Sequence, residues 1–170
     1  MNKPKQDEYS SFYSGYINSL RETNVLQLIA DQKTELSLIA NKIDEEKSKY
    51  RYAEDKWSIR ELIGHLIDCE RIFSYRLLRF SRGDSQNELP GFDENAYIEK
   101  SKYHETEFMK LVNEFLFLRE ATILQLQSLT EKEINCWGIA NENKITVRAL
   151  IYIIAGHTQH HISILKERYL

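Results

Sequence analysis

The sequence predicts an all-α protein built as a four-helix bundle. Three observations carry that reading. Only two prolines and six glycines interrupt 170 residues, so few breakers cut the helical pattern. Apolar residues recur at three- and four-residue spacing over several long stretches. No strand–helix alternation of the kind that builds a parallel sheet is present.

The elements follow in order. Residues 1–22, "MNKPKQDEYSSFYSGYINSLRE", read as a polar, tyrosine-rich N-terminal segment, and residues 23–170 as the bundle domain. The first helix is expected from Thr23 to Ile43, with Leu26, Ile29, Leu36, Ile39 and Ile43 on one stripe. The second opens at Ser58, where Ser58 and Glu61 have the S-x-x-E spacing of a capping box. Its apolar face is Ile59, Leu62, Leu66, Phe73, Leu77 and Phe80, and Gly83 is its expected stop. One long third helix is expected from about Asp93 to Ser128, its seam running through Tyr97, Ser101, His104, Phe108, Leu111, Phe115, Leu118, Thr122 and Gln125. On that seam His104 reads as a hydrogen-bonded core residue. A short helical turn capped by Thr130 and a small hairpin around Asn141–Asn143 precede the last helix, which Thr146 caps and which runs from Val147 towards the C-terminus.

Bulk properties exclude several classes. The formal net charge is −3, so no basic surplus speaks for nucleic-acid binding. No apolar run reaches the roughly 18 residues of a membrane span. The two cysteines, Cys69 and Cys136, form no C-x-x-C motif and fit reduced thiols in a cytoplasmic protein.

Three of the five histidines fall in "GHTQHH", residues 156–161, straight after the apolar run "ALIYIIA". On a helical wheel His157 and His161 lie about 40° apart, within the sector of Leu150, Ile153, Ile154 and Ile164. Two imidazoles at i and i+4 can chelate one cation, and a second helix must complete the set. His65, in "GHLID", is the donor. Unpartnered buried imidazoles cost roughly 1–3 kcal/mol each, and a shared cation satisfies three together. His65, His157 and His161 are therefore the predicted metal ligands. Three ligands leave a position for water or substrate, the pattern of catalytic rather than structural zinc. His160 reads as a residue that supports a ligand. Cys69, one turn from His65, has two readings, an inert buried thiol, which leads, and a group that approaches the metal, and Asp68 either orients an imidazole or faces solvent. Arg76 shares the wheel position of His65; a surface ion pair and a substrate-carboxylate contact are its two readings. Small residues at Ala155 and Gly156 allow a neighbouring helix or the metal to approach closely.

Four phrases in this order, "KWSIRELIGHLIDCERIFSYRLLRF", "LPGFDENAY", "LREATILQLQSLTEKE" and "ITVRALIYIIAGHTQHHISILKERYL", resemble the DinB-like superfamily. That group holds damage-inducible DinB proteins and YfiT-like metal-dependent hydrolases, and is unrelated to the DNA polymerase of the same name. The resemblance covers residues 24–170. It implies a four-helix bundle, a homodimer, and a divalent metal on the histidine of the "GHL" phrase, His65, and on the spaced pair His157 and His161. His160 matches the further histidine of a doubled "HH" that is usually not a ligand. Zinc or nickel is the expected cofactor, with iron, manganese or copper compatible. The implied activity is metal-dependent and acts on a small molecule. Low-molecular-weight-thiol S-transfer leads, metal-dependent hydrolysis is the alternative, and a non-enzymatic stress-related bundle that binds metal or ligand is a third reading.

Overall fold

The computed structural model describes residues 1–21 and 24–170. Its helices are α1 (Ser14–Ser19), α2 (Val25–Ala40), α3 (Ile59–Ser81), α4 (Glu94–Lys100), α5 (Phe108–Gln127), α6 (Glu131–Ile134) and α7 (Val147–Ile164), with the two-stranded hairpin β1 (Trp137–Ala140) and β2 (Asn143–Thr146) before α7. The four long helices α2, α3, α5 and α7 make the bundle. No helix among the described residues is long and apolar enough to cross a membrane.

The helix ends are set by local chemistry. Asn24 caps α2 by accepting from the Gln27 N–H. The expected start at Thr23 lies outside the described residues, and α2 stops at Ala40, short of Ile43. At α3 the capping box is reciprocal: Ser58 Oγ accepts from Glu61 N, and Glu61 Oε2 accepts from Ser58 N at 2.7 Å. Gly83, at φ +82°, ends α3 in the left-handed region, where the absence of a Cβ removes the steric penalty. The Asp84 N–H then donates to the Arg79 carbonyl and the Gly83 N–H to that of Phe80, the paired bonds of a Schellman stop. Thr130 and Thr146 cap α6 and α7 as expected. Asn141 and Glu142 both have positive φ, 51° and 63°, as a two-residue hairpin turn requires.

The single third helix expected from Asp93 to Ser128 is not formed. It is broken into α4, a 3₁₀ turn at Tyr103–Glu105, and α5. At Ser101 the backbone is extended, and its hydroxyl donates to the Ile98 carbonyl and accepts from Tyr103 N. This side-chain competition with the helical ladder is reinforced by tertiary contact. The break turns Tyr103 onto α3, where its hydroxyl donates to Asp68 Oδ1 at 2.7 Å. His104 consequently points outward beside Glu105, not into the core as the periodicity suggests.

Two apolar clusters occupy the two ends of the bundle. One holds Val25 and Ile29 of α2, Phe73 and Leu77 of α3, Leu126 of α5 and Leu150 and Ile153 of α7. The other holds Leu36, Ile63, Leu66, Phe115 and Ile162. The same ends of α2 and α7 meet in each cluster, and α3 and α5 run the opposite way. The chain therefore crosses the length of the bundle between α3 and α5, through α4 and the 3₁₀ turn.

A polar layer separates the clusters. Arg119 of α5, wholly buried, donates to Glu70 Oε2 of α3 at 2.8 Å and to Thr158 Oγ1 of α7 at 2.6 Å. Its other amino group reaches Gln32 Oε1 of α2, and Gln32 donates onward to the Ala155 carbonyl at 2.9 Å. The N-terminal segment adds α1 against α7, and Ile17 is fully buried. Gly156 makes that packing possible, because a Cβ there would overlap the Tyr16 carbonyl.

Two outcomes follow from this packing. Arg119→Met alone should lose about 3–5 kcal/mol in denaturant unfolding, because it strands the buried Glu70 carboxylate. Adding Glu70→Leu should recover much of that loss. Gly156→Ala should cost about 1–3 kcal/mol from overpacking, with increased proteolysis within the first 21 residues.

Candidate metal centre

The centre lies in the polar layer, where α3 and α7 cross. His65 and Cys69 are one turn apart on α3, and His157 and His161 one turn apart on α7; all four are buried. His65 Nε2 lies 2.9 Å from His157 Nε2, and His157 Nε2 lies 3.2 Å from His161 Nε2. Cys69 Sγ is 3.6 Å from His65 Nε2. Among the described residues, His65, Cys69 and His157 form the group whose donor atoms all lie within 4.8 Å of one another. The expected pair His65 and His157 thus converges. Cys69, read from sequence first as an inert thiol, joins them. His161 touches His157 but falls outside that mutually close group. His160 is exposed, its ring against Tyr16 at 5.4 Å and His161 at 5.1 Å. Asp68 is bonded to Tyr103 rather than to an imidazole.

The rings are held by aromatic walls. Trp57 lies 4.7 Å from His65 between ring centroids, and Tyr16 and Phe73 meet His157 edge-on at 5.5 and 5.8 Å. These walls contribute to the burial that keeps the imidazoles neutral. Burial lowers His65 to a pKa of about 4, with the neighbouring His160 charge a smaller cause. Burial likewise holds His157 and His161 well below the ordinary histidine value, followed by the charges of the other histidines. The Cys69 thiol is pushed far up, first by burial and then by Glu94, Asp68 and Glu70, so a cation must be near for it to ionise.

This donor set fits a divalent cation. One imidazole nitrogen offers a single proton or a single in-plane lone pair, so His157 Nε2 cannot satisfy both neighbours well. His161 Nδ1 is also buried without a hydrogen-bond partner. Zinc–nitrogen bonds of about 2.05 Å in tetrahedral array put ligand nitrogens about 3.3 Å apart, and zinc–sulfur bonds of about 2.3 Å put sulfur about 3.6 Å from nitrogen. The 3.2 Å His157–His161 and 3.6 Å Cys69–His65 separations match these values, and the 2.9 Å between His65 and His157 is about 0.4 Å short of the first.

A cavity of about 120 Å³ opens onto His65, Cys69 and His157 and extends along α3 to Arg76. Its opposite wall comes from Tyr13 and Tyr16, and its rim from Phe92 and Asn141. The rim is fixed by backbone bonds between Leu89 and the hairpin, Leu89 N to Ile139 O and Asn141 N to Leu89 O, each 2.9 Å. On the far side of the centre, His161 lines a second cavity of about 270 Å³ with Trp57 and Tyr169.

Comparison with known proteins agrees with this architecture. Residues 28–165 match the DinB superfamily. A protein of Oceanobacillus iheyensis named "putative metal-dependent hydrolase" is 23% identical over 145 residues, 83% of this chain and 81% of that protein. The solved structure of YfiT from Bacillus subtilis, described as "a probable metal-dependent hydrolase with an unusual four-helix bundle topology", superposes with a TM-score of 0.74 at 18% identity, covering 87% of this chain and 89% of YfiT. A DinB-like protein of Bacillus subtilis, YjoA, gives a TM-score of 0.61 at 20% identity, covering 85% and 87%.

The neutral imidazoles make the metal-free protein acid-sensitive. In the folded state His65 protonates only near pH 4, against about 6.5 in an unfolded chain. Stability should be full above pH 6.5 and fall as pH drops through 4, His65 alone contributing up to about 3 kcal/mol. Urea unfolding of chelator-treated protein at pH 7.5, 6, 5 and 4 measures this. His65→Gln should reduce the loss on acidification, leaving the part that His157 and His161 contribute.

Proposed function

The chain belongs to the DinB superfamily, and from that premise we propose that it is a metal-dependent hydrolase of small molecules, with His65 and His157 as two of its metal ligands. One observation carries the proposal: the facing Nε2 atoms of two buried, neutral imidazoles, 2.9 Å apart, beside a cavity that a substrate can enter. The names of the Oceanobacillus protein and of YfiT support the same class.

The third ligand is Cys69 or His161. Cys69 closes the tightest donor group. His161 fits the sequence pattern and ligates without losing a proton. A bound divalent cation supplies Lewis-acid polarisation and a nucleophile at neutral pH. The chain's own residues do the rest. Trp57 packs on His65, and Phe73 and Tyr16 on His157, which restrains the ring planes. The cavity gives the substrate an approach to His65 and His157 past Tyr13, Tyr16 and Phe92. His160, exposed beside Tyr16 and His161, supports the centre from outside without ligating.

Thiol S-transfer is the second reading, favoured by the cation Arg76 in the same cavity, which suits the carboxylate of a thiol cosubstrate. Association as a homodimer is a further expectation, to be checked by sedimentation against the 20.2 kDa of one chain.

Elemental analysis of untagged protein should show metal lost in His65→Ala and His157→Ala and kept in His160→Ala. Equal retention in all three overturns the site. With cobalt, a near-ultraviolet thiolate charge-transfer band that disappears in Cys69→Ala assigns sulfur as third ligand. Absence of that band, with metal lost in His161→Ala, assigns the third histidine. Hydrolysis of ester and amide panels should require metal and fall at least 100-fold in His157→Ala. Turnover only with an added thiol would support transfer instead, and no turnover with either would support the non-enzymatic reading.

A further inference from the structure

Arg76 is a buried cation without an anion. Three arginines are less than 5% exposed, Arg60, Arg76 and Arg119. Arg60 pairs with Glu45 and Arg119 with Glu70. Among the described residues Arg76 forms no ion pair; its Nη2 donates to the Pro90 carbonyl at 2.8 Å. Tyr13 lines the same cavity, its phenol pushed up by burial and pulled down by the nearby guanidinium. Arginine cannot shed its proton to escape burial, and an uncompensated buried charge is costly. A guanidinium with no ion-pair partner beside an open cavity suits an anion that comes from outside.

The cavity shows where that anion binds. Arg76 and Tyr13 line the same space as His65, Cys69 and His157. Arg76 stands two turns beyond Cys69 on α3, and helical side chains lean towards the N-terminus, which carries its guanidinium back towards the centre. We propose that Arg76, with the Tyr13 hydroxyl, forms a subsite for a substrate carboxylate; this rests on the hydrolase reading and names its substrate class. The substrate is a small molecule with a carboxylate a few bonds from the group that reacts beside His65 and His157.

Size and charge narrow the class further. A cavity of about 120 Å³ equals roughly four waters at about 30 Å³ each, enough for a carboxylate and a short spacer. A planar carboxylate matches the guanidinium fork with two parallel hydrogen bonds. Glu94, exposed at the cavity lining, adds a negative charge that disfavours a phosphate dianion. Asn141, on the hairpin turn at the rim, offers a further amide to the ligand.

The test uses propionate, the isosteric propionamide and inorganic phosphate, titrated calorimetrically into full-length protein, both metal-free in chelator and zinc-loaded. The metal-free arm stands whether or not the metal site does. Propionate should bind in both forms, and propionamide and phosphate at least tenfold more weakly. Arg76→Gln should weaken propionate at least tenfold, and Arg76→Lys by less. Glu94→Gln should tighten it. Metal content should be unchanged in Arg76→Gln, and metal-free His157→Ala should still bind propionate, which separates this subsite from the metal reading. Circular dichroism and melting establish that each variant folds; if Arg76→Gln does not, Arg76→Lys and the acid–amide comparison decide. Equal propionate affinity in the Arg76 variants, equal binding of acid and amide, or tighter binding of phosphate would overturn the subsite.

Discussion

A buried guanidinium holds the register of this bundle. Arg119 connects Gln32 of α2, Glu70 of α3 and Thr158 of α7, so all four long helices meet at one side chain. Apolar faces alone define such a bundle loosely, since one leucine row can slide past another at small cost. Hydrogen bonds of 2.6 and 2.8 Å to a planar, charged group permit no such slip. Buried ion pairs seldom add net stability, and a registry role is their best-attested use.

The converging imidazole and thiol groups sit one residue away from that tie on both helices. Glu70 follows Cys69, and Thr158 follows His157. Setting the height of Glu70 against Thr158 therefore sets the height of His65 and Cys69 against His157. The same layer separates the two apolar clusters, so charged and neutral polar groups share the middle of the molecule. Arg119 also contributes to keeping His157 unprotonated. One buried polar layer thus fixes the helices, brings the two imidazole-bearing turns to one height and helps keep the imidazoles neutral.

The N-terminal segment completes the site from the other side. Tyr13 and Tyr16 wall the cavity that His65, Cys69 and His157 line, and Gly156 lets the Tyr16 backbone lie directly on α7. The glycine that opens the "GHTQHH" stretch is therefore explained by the close approach of α1. Exposed Phe12 at the cavity mouth continues this aromatic wall towards solvent.

Periodicity and capping residues alone determined α3 and α7 with their caps at Ser58 and Thr146, the central turns of α2 and α5, the short α6 capped by Thr130, the hairpin before the last helix, and the facing of His65 towards His157. These are local or single-face properties, and spacing encodes them directly. Tertiary structure decided the rest. The break at Ser101 depends on Tyr103 reaching Asp68 across to α3, so the heptad-like pattern through His104 continued on paper where the helix does not. Cys69 joined the donor group, and His161 fell to its edge, because the angle at which α3 and α7 cross selects which side chains converge. Wheel positions leave that angle undetermined. The wheel left Arg76 open between a surface ion pair and a substrate-carboxylate contact, and the fold makes it a buried cation that donates to the Pro90 carbonyl and forms no ion pair among the described residues. Which groups lose their water is a property of the assembled layers, and burial is what gives these histidines and this arginine their chemistry.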